Sequence, residues 1–291
     1  MDSRTNCNRK HGKLWSTLLS DLIFLEFYVT KFIIKNGRGE KMGHALITAG
    51  TKGLGRKVTE AFLNKGHNVT ITYRSDFQRA HEMQQLSAGD HLHIVQADVT
   101  KKEDIEKVVN SAYKRFGTID YLINNAGPFV FERKKLMDYS VQEWDEMMRG
   151  NLDAVFHLMK LTIPRMRDQR FGRIINYGFQ GANSAAGWLN RSAFAAAKVG
   201  LVSLTKTIAF EEAENGITSN MICPGNIVGR MKEASIIESR ELPDENTPIG
   251  RSGTGEDIAR TILFLCEKDS DMITGSIFEV TGGLDVINRH R

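Results

Sequence analysis

From residue 42 onward the chain alternates between short apolar runs and longer segments whose apolar side chains recur at helical spacing. The runs at 44–49 (HALITA), 69–73, 91–97, 121–124, 173–177, 218–222 and 277–280 read as strands, several of them buried on both faces. The segments at 53–65, 76–86, 100–116, 141–149, 152–167, 192–215 and 256–265 read as helices. Strands separated by helices of this length need crossover connections. The pattern therefore predicts βαβ units in one doubly wound parallel sheet of about seven strands, with helices on both faces. Thr100 followed by Glu103 predicts a capping box at the start of the third helix. Pro164 predicts a kink or early stop in the segment 152–167.

This domain is expected to span 42–291, and residues 1–41 form a separate extension. Residues 14–34 are rich in apolar side chains, but Asp21, Glu26 and Lys31 interrupt them, which argues against a membrane span. No small-residue cleavage site follows, which argues against a signal peptide. The stretch GRGEK at 37–41 requires purine-rich codons, like a bacterial ribosome-binding site, directly before Met42. We expect residues 1–41 to be untranslated and Met42 to be the start; an intact mass of native protein that retains Met1 refutes this.

Composition narrows the partners. Lys plus Arg number 39 and Asp plus Glu 35, a net charge of +4 with no basic stripe, so no nucleic-acid partner is expected. Cys7, Cys223 and Cys266 form neither a CxxC pair nor a zinc-spaced cluster, so no metal site is expected. An odd, sparse cysteine count suits the reducing cytoplasm.

The first strand runs into Thr48-Ala49-Gly50-Thr51-Lys52-Gly53-Leu54-Gly55, and a helix follows. Glycines there allow a tight turn and close approach of a pyrophosphate, and the helix N-terminus offers free N–H groups to it. With the strand before and the helix after, the loop reads as a dinucleotide site of Rossmann type. The second strand ends at Arg74 where an NAD site carries a carboxylate, and Lys52 adds a second cation. Two cations favour the 2′-phosphate of NADP(H); Asp76 is the one nearby acid that opposes this.

The glycine spacing resembles the TGxxxGxG form of the short-chain dehydrogenases/reductases, with Ala49 interposed. Other motifs carry the same resemblance: Asp98-Val99, Asn124-Asn125-Ala126-Gly127, Asn151, Lys198, Pro224-Gly225 and Thr281-Gly282-Gly283. It covers 42 to about 285 and looks most like 3-oxoacyl-[acyl-carrier-protein] reductases. The resemblance implies that Asp98 and Val99 contact the adenine, that Asn125, Ala126 and Gly127 line the cofactor, and that Asn151 fixes a proton relay. It also implies that Lys198 binds the nicotinamide ribose, and that a tyrosine donates the proton while a serine holds the carbonyl oxygen.

Here the sequence departs from the family. The tyrosine position, four before Lys198, is Phe194, and the serine position is Phe179 or, by a different count, Gly181. Phenylalanine has no proton to give. Possible substitutes are Tyr177, expected on the same strand face as Phe179, and Ser184 or Ser192 in the altered loop. Lys198 itself, at an unperturbed pKa of about 10.4, is a poor acid at neutral pH. The enoyl reductases' tyrosine, seven before the lysine, falls on Arg191.

Two functions remain open. One is an NADP(H)-dependent oxidoreductase that reduces a carbonyl of a small or acyl-type, 3-oxoacyl-thioester-like substrate with an atypical site. The other is an NADP(H)-binding protein that has lost hydride chemistry and serves a regulatory or ligand-binding role. No membrane partner is expected. Apolar residues on more than one face of 152–167 and 192–215, together with the resemblance, suggest a homo-oligomer, tetramer or dimer. Segment 226–250, with Met231, Ile236 and Ile237, reads as a substrate lid.

Overall fold

The computed structural model describes residues 42–86, 89–129 and 132–285. The readings made for residues 1–41 lie outside the described residues.

Seven parallel strands form one sheet in the order β3-β2-β1-β4-β5-β6-β7. They are β1 (His44–Ile47), β2 (Asn68–Tyr73), β3 (Leu92–Gln96), β4 (Tyr121–Asn124), β5 (Gly172–Tyr177), β6 (Ile217–Pro224) and β7 (Ile277–Val280). The helices are α1 (Gly53–Asn64), α2 (Phe77–Leu86), α3 (Lys102–Phe116), α4 (Val141–Met148), α5 (Ala154–Gln169), α6 (Ser192–Glu211), α7 (Ile236–Arg240) and α8 (Gly255–Cys266). All four residues of β1 and of β4 are buried, as expected of central strands covered on both faces.

Two apolar layers hold the sheet. On one side Val108, Leu158 and Leu201 from α3, α5 and α6 pack on Leu46, Ile174 and Met221. On the other, Val58, Phe62, Ile258 and Ile262 from α1 and α8 pack on Ile71, Ile123 and Ile222. The chain builds outward from β1 to β3, then restarts at β4 on the other side of β1. Ile47 stands opposite both Ile71 and Ile123. That reversal leaves a crevice at the carboxyl ends of β1 and β4, where doubly wound sheets bind ligands.

Two local expectations need correction. Thr100 is not a cap: α3 starts one residue after Lys101, with no side-chain cap. The Thr100 N–H and hydroxyl instead donate to Asp98 Oδ1 (3.0 and 2.8 Å), and Asp104 accepts from the Asp98 N–H (2.8 Å). Pro164 does not end α5, which continues to Gln169. Both Pro164 and Lys160, whose carbonyl loses its helical partner, are on the exposed side, where water can donate to that carbonyl.

Candidate active site

The glycine loop and the residues after β4 are laced together. Asn125 Nδ2 donates to the Thr48 and Ala49 carbonyls (2.9 and 3.1 Å), and the Ala126 N–H donates to Thr48 Oγ1 (2.8 Å). A Cβ at Gly55 would collide with the Ala49 carbonyl and the Asn125 amide, and one at Gly50 would collide with Ile71. Gly53 is different: it adopts φ +60° and its open side meets only the stem of Lys232, about 3.8 Å away. Ala49 takes the left-handed conformation at φ 53°, a region that favours glycine. It therefore stands where the first glycine of the family's pattern belongs, rather than being interposed.

Around this cradle, Arg74 is exposed at the end of β2 and makes no side-chain bond to a described residue. Lys52 pairs with Asp76 Oδ2 at 3.0 Å, while Asp76 Oδ1 accepts from the Arg79 N–H at the start of α2. The Lys52 hydrogen bond and the Arg79 amide hold the Asp76 carboxyl below its usual range. Burial alone pushes the Asp98 carboxyl up, but the Thr100 bonds and the Arg74 charge outweigh it and lower it. Gly225 donates its N–H to the Val280 carbonyl at 2.9 Å, and a Cβ there would meet Thr281. The two late motifs, Pro224-Gly225 and Thr281-Gly282, thus touch across β6 and β7.

Asn151 sits in a π-helical turn, Arg149–Asp153, that joins α4 to α5. Such a widened turn is common at functional sites. Its Nδ2 donates to the Pro128 and Met147 carbonyls (2.9 and 3.0 Å), and its buried Oδ1 has no partner. A Cβ at Gly127 would collide with that Oδ1 and lie 3.7 Å from Lys198 Nζ. The bare glycine therefore makes room for the Asn151 amide oxygen next to Lys198. Lys198 is only 4% exposed. Burial pushes its ammonium down to about 8, with nearby Cys223 opposing. The Cys223 thiol is itself pushed up to about 12, first by burial, so it is no thiolate nucleophile at neutral pH. A buried relay anchors the lysine's helix: Asn124 Nδ2 to Asn176 Oδ1, then Asn176 Nδ2 to Thr205 Oγ1 on α6 (2.8 and 2.9 Å).

Four aromatic rings cluster beside Lys198. Phe179 stacks on Trp188 (5.1 Å, 26°), and Phe129 meets Phe194 edge-on (5.0 Å, 90°). Trp188 and Phe179 each lie about 6 Å from Phe194. Lys198 Nζ is 5.6 Å from the Phe194 centroid, and the Arg191 guanidinium lies 4.6 Å over Phe129. Tyr177 does not join this group. Strand alternation places it in the α1/α8 layer with Ile175 and Ile222, whereas Phe179, beyond the strand end, turns into the opposite layer. Its hydroxyl is fully buried, without a partner, and raised by burial. Ser184 is exposed in a short 3-10 turn, and the Ser192 hydroxyl is buried without a partner at the start of α6.

Sequence reasoning missed Arg191, Trp188, Phe129 and Glu233. Arg191 was legible, since Arg191, Phe194 and Lys198 share one helical face at i, i+3 and i+7. The others come from loops with no periodic signal.

A crevice at the sheet's switch point, a glycine cradle and a buried lysine and asparagine on facing helices define a nucleotide-dependent oxidoreductase architecture. The chain belongs to the short-chain dehydrogenase/reductase family: the profile described as "Enoyl-(Acyl carrier protein) reductase" matches residues 48–285. "Putative oxidoreductase YtkK" of Bacillus subtilis (strain 168) is 63% identical over 253 residues, 86% of this chain and 99% of that protein. "3-oxoacyl-[acyl-carrier-protein] reductase FabG" of Haemophilus influenzae is 38% identical over 241 residues, 82% and 97% of the two chains. A solved structure described as a "putative 3-oxoacyl-reductase from bacillus thuringiensis" is 65% identical with a TM-score of 0.80, covering 85% of this chain and all of that one.

Proposed function

We propose that this protein is a cytoplasmic NADP(H)-dependent oxidoreductase that reduces the carbonyl of an acyl-type substrate, with Lys198 as proton donor in place of the missing tyrosine. The cradle fits a dinucleotide because Gly53 leaves the start of α1 uncovered by any side chain of its own. The N–H groups at Gly53 and Leu54 would hold the pyrophosphate, Arg74 and Lys52 a 2′-phosphate, and Asp98 and Val99 the adenine. NADPH, when bound, supplies the hydride.

The observation that carries the catalytic part is the environment of Lys198. Losing a positioned acid typically costs 10²- to 10⁴-fold in rate. A solvated lysine would not repair that, but one lowered to about 8 by burial is still mostly protonated at pH 7 and gives up its proton far more readily. Lys198 Nζ and the unpartnered Asn151 Oδ1 stand together beside Gly127, and Lys198 supplies the proton from there. The ring cluster excludes water and offers an apolar wall to an acyl chain. The names of the relatives favour a 3-oxoacyl thioester as substrate.

The rings also favour a second reading. Phe129, Phe179, Trp188 and Phe194 contact one another, so they can equally fill a site that binds cofactor and performs no reduction. NADPH and NADH titrations by fluorescence, followed by acetoacetyl-thioester reduction with wild type and Phe194→Tyr, separate the two. NADPH is expected to bind more tightly than NADH, and wild type to turn over. A lysine donates only when protonated, so the rate is expected to be flat below pH about 8 and to fall about tenfold per unit above it. Turnover by Phe194→Tyr alone would establish the binding-only reading.

A further inference from the structure

The lid segment puts an anion where the cofactor's pyrophosphate belongs. Glu233 Oε1 accepts from the Gly53 N–H at 2.7 Å, and its Oε2 lies 3.4 Å from the Arg56 guanidinium on the first turn of α1. Glu233 follows the short turn Gly229–Lys232, which is wedged between the starts of α1 and α8. The Lys232 stem covers Gly53, and the Lys232 carbonyl presses so closely on Gly255 that any Cβ at 255 would collide with it. The glycine at 255 thus lets the turn dock, and the docked turn delivers the carboxylate. Beside Glu233 opens a cleft of about 400 Å³ lined by Arg230, Met231, Ala234, Glu238, Glu241 and Leu242. Glu233 itself lines this cleft, so its side chain can turn into it toward Arg230, against the charges of Glu238 and Glu241.

We propose that Glu233 is an internal competitor for the dinucleotide's pyrophosphate: it satisfies the free N–H of the glycine loop in the empty protein and must leave when the cofactor binds. This rests on the reading of residues 48–55 as a dinucleotide site. A carboxylate and a phosphate are both anionic oxygen acceptors, and the N–H at the head of a helix suits either. The two cannot share one donor at hydrogen-bond distance, and their charges repel. Binding the cofactor therefore breaks a charge-assisted hydrogen bond and weakens an ion pair with Arg56. Arg56 keeps its second partner, Glu60, at 2.9 Å, so it stays in place when Glu233 leaves.

The test compares wild type with Glu233→Ala and Glu233→Gln in the full chain. Three readouts are needed: NADPH affinity, inorganic pyrophosphate affinity by calorimetry, and amide exchange at Gly53 in the ligand-free protein. Removing a competitor predicts tighter binding of both ligands by Glu233→Ala, about tenfold, the scale of one charge-assisted hydrogen bond. Glu233→Gln, which loses the charge but keeps an acceptor, is expected to fall between the two. Gly53 exchange is expected to speed up in Glu233→Ala. A merely structural role moves affinity the other way, since loosening the lid weakens binding. Equal or weaker affinity of Glu233→Ala for both ligands overturns the proposal. Tighter pyrophosphate binding with no NADPH binding by any variant sustains the competitor and overturns the dinucleotide reading instead.

Discussion

Ala49 holds a backbone conformation that costs an L-residue about 1–2 kcal/mol relative to the right-handed regions. The surroundings enforce it: its N–H donates to Thr72 Oγ1 at 2.9 Å and its carbonyl accepts from Asn125 at 3.1 Å. Releasing it would break both bonds and the approach of Gly55 to that carbonyl. Glycine at this position removes the strain but adds backbone entropy to the unfolded chain, about 0.5–1 kcal/mol. The difference favours the substitution. Ala49→Gly is expected to stabilise the protein by about 0.5–1 kcal/mol, read as a higher urea midpoint at unchanged m-value. A lower midpoint would mean the alanine methyl packs usefully enough to offset its strain.

At the scale of elements, periodicity reported what burial imposes and missed what individual polar groups negotiate. All seven strands and the long helices were legible because each buries a regular set of side chains, and their ends fall within a few residues of expectation. The capping box at Thr100 was a pattern one residue out of place: α3 is entered from Lys101, and the Thr100 hydroxyl donates to Asp98 in the preceding turn. Tyr177 failed through parity. Counting by twos holds only while the strand lasts, and β5 stops at Tyr177, so Phe179 is free to turn into the other layer. The π-helical turn at Asn151 left no trace in the sequence beyond the break at Gly150 and Asn151 between two helical segments. The latch from Glu233 to Gly53 joins residues 180 positions apart, and no local signal encodes such a pair. That Phe194 stands four before Lys198 could be read from the sequence; how deeply Lys198 is buried could not.

At the scale of the molecule, the sheet leaves part of its outer helical surface apolar. α6 is long and apolar enough by composition to cross a membrane, yet it is a core helix here, with Ala193, Leu201, Val202 and Ala209 buried against the sheet. Other apolar side chains are exposed among the described residues. Val141 on α4 is 78% exposed, Phe156 on α5 46%, and Phe210 at the end of α6 82%. Scattered exposed leucines are ordinary on a monomer, but large aromatics on the outer faces of consecutive helices are the composition of a subunit contact. We propose that the α4–α5 face pairs with its counterpart on a second copy, giving a dimer or, with another face, a tetramer. An isologous contact places each changed residue in the interface twice, so one charge has a doubled effect. Phe156→Glu is therefore expected to shift sedimentation toward the monomer. An exposed substitution usually changes the monomer's own stability by no more than about 0.5 kcal/mol, so the melting of the separated subunit should stay close to that of a monomeric reference variant at Val141. If wild type already sediments as a monomer at micromolar concentration, the apolar face is not a self-contact and its exposure belongs to this chain alone.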